Sequence, residues 1–166
     1  MQNLLSKLEQ QLSAVKFIES GSFYWSPKNH TIYYNAPELN EVKGQWALLH
    51  EAGHAVKNHQ SYKTDAGLLI LEVEAWQTGK EFAKKLGLVI DDTHIQDCLD
   101  TYRDWLYARS TCPTCALNSL QINQTTYKCL NCSTRWSVSA SRFCRPYRMQ
   151  DRHKKTPSEI SPTVFR

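Results

Sequence analysis

The chain has 166 residues, 41 % hydrophobic and 22 % charged, with a formal net charge of +4. That is the composition of an ordinary globular protein with room for one domain and a small appendage. No apolar run approaches the roughly 18–20 residues needed to cross a bilayer, and the opening "MQNLLSKLEQQLSAVKF" lacks the apolar stretch of a signal peptide.

Leu4, Leu5, Leu8, Leu12, Val15 and Ile18 recur at helical spacing and predict a helix over residues 3–19. "GSFYWSPKNHTIYY" places two aromatic and β-branched runs around "SPKN" and predicts a β-hairpin within 22–36. A helix is expected from about Glu41 to His59, and a longer one from about Gly67 to Leu86, stopped by Gly87. Asp92 or Thr93 can cap the next helix, which carries Ile95, Leu99, Tyr102, Trp105 and Leu106 and ends near Arg109. The division expected is a first domain over 1–110, a cysteine module over 111–137, and a basic, partly disordered tail over 138–166.

"LLHEAGHAVKNH", residues 48–59, sets His50 and His54 four apart, one helical turn from each other on one face. Both imidazoles can then reach a single zinc, with Glu51 beside it as a base acting on zinc-bound water. A metzincin third histidine would fall at Gln60, so that pattern is excluded. "LEVEAW" on the following helix offers Glu72 and Glu74, which point to nearly opposite faces. Glu72 shares its face with Leu68, Leu69, Ala75, Trp76, Gly79 and Ala83, the packed side, and a carboxylate buried there needs a metal or a partner. Glu72 is the expected ligand, with Glu74 kept as the alternate. Tyr62, His59 and His94 have the chemistry of an oxyanion donor, although a surface or packing role suits each better.

"HEAGH" followed by "EVEAW" resembles the gluzincins, and more narrowly the minimal ImmA/IrrE-type metallopeptidases, over about residues 23–88. The resemblance implies a zincin-like α+β fold, Glu72 as third ligand, and regulatory cleavage of a repressor or other DNA-binding protein. In one departure, Trp76 stands where that family often carries Asp or Asn as partner to a ligand histidine.

"CPTC" at Cys112 and Cys115 and "CLNC" at Cys129 and Cys132 form two C-x-x-C pairs thirteen residues apart. Four thiolates close a tetrahedral zinc site, and "LQIN", "TTYKC" and "STRWSV" read as short strands of a zinc ribbon. Cysteines used in this way point to a reducing, cytosolic compartment. Cys98 falls on an apolar helix face, and Cys144 has no visible partner.

Residues 1–111 carry a net charge of −3 and residues 112–166 a net +7. Arg135, Arg142, Arg145 and Arg148, interleaved with Trp136, Phe143 and Tyr147, are therefore a candidate nucleic-acid surface. Two readings follow: a cytosolic zinc endopeptidase acting on a protein substrate, or a non-enzymatic adaptor whose basic end binds nucleic acid or protein.

Overall fold

The computed structural model describes residues 4–139 and 148–150, and the chain divides into two compact units, 1–106 and 107–166. The class is α+β: four helices and two small sheets. No helix among the described residues is long and apolar enough to cross a membrane.

In the first unit, α1 (Leu4–Gln11) buries Leu8 completely. The helix expected over 3–19 stops there, because "KFIE" forms a strand instead, β1 (Lys16–Glu19). Its β-branched and aromatic side chains suit a pleated ladder, and Lys16 and Ser20 donate backbone bonds to His30 and Tyr34 at 2.9 and 2.7 Å. Phe17 packs on the core while Ile18, on the apolar face of the expected helix, is left exposed.

β2 (Tyr24–Ser26) and β3 (Thr31–Tyr34) form the hairpin, with Trp25 opposite Ile32 and the rings of Tyr24 and Tyr33 stacked at 4.4 Å. β1 joins β3 in parallel, so the order is β1-β3-β2 and β2 is an edge strand.

A 3₁₀ turn (Pro37–Asn40) leads into α2 (Val42–Val56), which pairs with α3 (Asp65–Lys85). Thr64 caps α3 by accepting from the Gly67 amide at 3.0 Å. The two helices meet at glycine. A Cβ on Gly53 would lie 2.1 Å from the Ala75 carbonyl oxygen, and one on Gly79 would lie 3.0 Å from that of Leu49. Backbones this close bring the inward side chains of both helices onto common points. α4 (Asp92–Ser110) is capped by Asp91, one residue before Asp92 and two before Thr93, the expected caps, through the Thr93 amide at 2.9 Å.

The second unit starts with the last turn of α4. β4 (Leu120–Asn123), β5 (Thr126–Lys128), β6 (Arg135–Val138) and β7 (Arg148–Gln150) form an antiparallel sheet in sequence order. β7 comes from the segment read as a tail, so the sheet extends beyond residue 137. Tyr127 and Trp136 stack at 5.6 Å in a core with Cys112, Cys129 and Val138. Arg109 is buried with them and donates to the carbonyls of Ser139 and Gln124.

Two candidate metal centres

α2 presents His50 and His54 from adjacent turns, and the close crossing at Gly53 carries Glu72 of α3 up to them. The Nε2 atoms of the two histidines are 3.1 Å apart, and the Glu72 Oε2 lies 3.2 Å from His50 and 3.7 Å from His54. Ligands at 2.0–2.1 Å from one tetrahedral ion stand about 3.3 Å from each other, so three donor atoms at these separations fit a zinc-sized ion. The carboxylate is buried, which alone would push its pKa up. Hydrogen bonds and charge from His50 and His54 outweigh that and hold it below the ordinary range.

Glu51, also on α2, feels both imidazoles and Glu72 without joining the donor set. Burial pushes its carboxyl up, His50 and His54 pull it back, Glu72 raises it, and the backbone N–H of Trp25 lowers it by hydrogen bonding. The net direction is upward. The edge strand β2 is thus tied to the acidic member of the site.

Each histidine is held differently. His50 lies against Trp76, centroids 4.3 Å apart at 31°, and its buried Nδ1 has no hydrogen-bond partner among the described residues. Trp76 thus restrains His50 by ring contact. His54 is anchored through Nδ1, 2.9 Å from Nδ1 of His59, whose Nε2 lies 3.1 Å from the Glu74 Oε2.

His59 reaches that place because α2 ends three residues earlier than expected. Asn58 takes a left-handed φ of 50°, the Asn58 amide donates to Ala55, and the His59 amide donates to His54 at 3.0 Å. This reversal turns His59 inward, and its carbonyl accepts from the Trp25 indole N–H at 3.0 Å. Burial pushes the His59 imidazole pKa down.

Of the other residues singled out, Glu74 faces His59 rather than the donor cluster. His94 packs between Trp46 and Trp76, 3.7 Å from the Cys98 sulfur, and Tyr62 is exposed. The contributions of His59, Glu74 and the Trp25 amide were not read from the sequence. Asn58, a residue tolerant of left-handed backbone just past a helix end, was the available signal.

In the second unit all four thiols converge. The Cys112 and Cys132 sulfurs are 3.6 Å apart and those of Cys115 and Cys129 3.5 Å, near the ~3.8 Å expected around one ion at 2.3 Å. Backbone amides support the sulfurs: Thr114 N–H lies 3.4 Å from Cys112 Sγ, and Cys132 N–H 3.5 Å from Cys129 Sγ. The Cys129 thiol is held down to about 6, first by the Ser119 hydroxyl and then by the Cys132 amide. Cys132 is also lowered, chiefly by Thr134. Cys115 is pushed the other way, up to about 11, so the thiolate character gathers on Cys129 and Cys132.

The candidate nucleic-acid surface loses members. Trp136 is fully buried and donates its indole N–H to the Arg109 carbonyl at 3.0 Å, so no base can stack on it. Arg148 donates to the Thr111 carbonyl at 2.7 Å. Arg142, Phe143, Arg145, Tyr147 and Cys144 lie outside the described residues. In comparisons with known proteins, the chain matches no family, no curated protein and no solved structure.

Proposed function

We propose that the first unit is a zincin-like, zinc-dependent endopeptidase of the gluzincin kind and that the second is a zinc ribbon. The observation carrying this reading is the division of labour on α2 and α3. Three donors, His50, His54 and Glu72, converge on one point, while a second carboxyl, Glu51, stands beside them with a raised pKa. A structural metal site has no use for that carboxyl.

A zinc ion held by three protein groups supplies an acid that activates water and polarises a carbonyl. Glu51 takes the proton of the attacking water and delivers it to the leaving amine. A carboxyl raised above its ordinary range suits a group that must both accept and release a proton. Glu72 stays ionised and offers its charge to the ion.

The Trp25 amide hydrogen-bonds Glu51, so β2, an edge strand, runs past the acid. An extended peptide paired with that edge would carry its carbonyls along the site. The substrate class rests on the resemblance alone: a repressor or another DNA-binding protein, cut in a reducing, cytosolic compartment. In the ribbon, Cys112, Cys115, Cys129 and Cys132 close their site completely and support a unit with a small apolar core.

The test is Glu51→Gln. The variant is expected to hold as much metal as the wild type and to lose peptide cleavage by about 10²-fold or more, the contribution of a positioned proton carrier. Undiminished cleavage by Glu51→Gln would contradict the reading.

A further inference from the structure

We infer that His59 and Glu74 form a positioning relay for His54, in which Glu74 fixes the proton of His59 and His59 fixes the ring of His54. The inference deepens the proposed function and rests on its reading of His50, His54 and Glu72 as metal ligands. It follows from counting protons along three contacts.

His54 can offer a lone pair at Nε2, towards His50 and Glu72, only if its proton sits on Nδ1. That Nδ1 faces Nδ1 of His59 at 2.9 Å, so the His59 atom must be the acceptor. The His59 proton then sits on Nε2, and Nε2 lies 3.1 Å from a carboxylate oxygen of Glu74, which accepts it. All three groups are satisfied with neutral imidazoles. The opposite assignment protonates His54 at Nε2, closing it to a metal, and sets the His59 Nε2 lone pair against the Glu74 carboxylate. Of the two arrangements with neutral imidazoles, only the first is free of repulsion.

The backbone confirms that His59 is held for this contact. Its amide is bonded to the His54 carbonyl and its own carbonyl to the Trp25 indole, so the ring has little freedom to leave. His59 is buried, while Glu74 is about half exposed at its side chain. His50 has no such support, since its Nδ1 has no partner among the described residues. The relay is therefore the main polar restraint on the orientation of a ligand imidazole here.

Outer partners of ligand histidines typically contribute about 10–100-fold in metal affinity. The experiment is zinc titration of the full chain against a chromophoric chelator at fixed pH, with the cysteine site as internal reference. The wild type is expected to take up two equivalents, one of which is lost in Cys115→Ser. His59→Leu should weaken only the other equivalent, by about 10–100-fold. His59→Asn should restore most of that loss, because its amide oxygen can accept from Nδ1 of His54.

Glu74→Leu, at a half-exposed position that tolerates substitution, should weaken the same equivalent. Glu74→Gln should stay near the wild type, because its amide oxygen still accepts. The absorption bands of cobalt bound at the histidine site should shift in His59→Leu and return in His59→Asn, which a loss of packing alone would not produce. Unchanged affinity in both His59→Leu and Glu74→Leu overturns the relay. A wild type that binds one equivalent only, at the cysteines, overturns the metal reading of the histidine site and the relay with it.

Discussion

Glu72 and Glu74 stand two residues apart, and the structure gives them separate tasks. The carboxylate of Glu72 lies 3.2 Å from Nε2 of His50, whereas that of Glu74 contacts His59. This is the separation expected from helix faces, since Glu72 shares its side with Leu68, Ala75 and Gly79. Glu72→Ala is accordingly expected to abolish binding of one metal equivalent, whereas Glu74→Ala only weakens it; equilibrium dialysis distinguishes the two. What sequence did not disclose was how the cluster is held. The Trp25 amide that reaches Glu51 is a backbone group with no signature of its own. The part played by His59 depends on a turn that exists only because Asn58 accepts a φ of 50°.

Helices α2, α3 and α4 could be read from apolar period and caps because those signals are local. The first helix could not be bounded in that way. Val15 and Ile18 extend the period of Leu4, Leu8 and Leu12, yet "KFIE" pairs with Thr31–Tyr34, a partner fifteen residues away that no local window contains. Ladder bonds and burial of Phe17 outweighed helical period. The tightest element contact is equally specific, and it can be tested. Gly53→Ala places a Cβ against the carbonyl of Ala75, a helical backbone atom that cannot rotate aside. It is expected to cost about 3 kcal/mol in urea unfolding and to weaken metal binding at His50 and His54 as α3 is pushed away. Asn58→Ala should cost about 1 kcal/mol and Asn58→Gly little, because the left-handed backbone outweighs the exposed bond that Asn58 Oδ1 accepts from Gln60.

At the scale of the whole molecule, the chain is two units with different sources of stability. The first has a core reaching from Leu8 through Leu48, Leu49 and Trp76 to Leu99, large enough to stand without metal. The second buries little beyond Tyr127, Trp136, Val138 and its own cysteines, so under the proposed reading ligation of the thiols contributes to its folding. A strong chelator is therefore expected to expose residues 112–138 to proteolysis while the helical signal of the first unit persists; resistance of that stretch without metal would contradict this. The C-x-x-C spacing made the second unit legible, and three of its four strands follow the pattern seen in sequence. β7 was hidden because "RMQ" in a basic segment carries no strand signal until β6 offers it an edge. Trp136 shows the same limit: beside arginines it reads as a stacking residue, but the sheet turns it into the core.

The most direct test of the peptidase reading is to incubate the two-metal protein with a peptide library of mixed sequence and sequence the new termini by mass spectrometry. The expected result is a set of new termini that disappears in Glu51→Gln, although that variant retains both metals. Absence of any new terminus from wild-type protein with both sites filled would contradict the account.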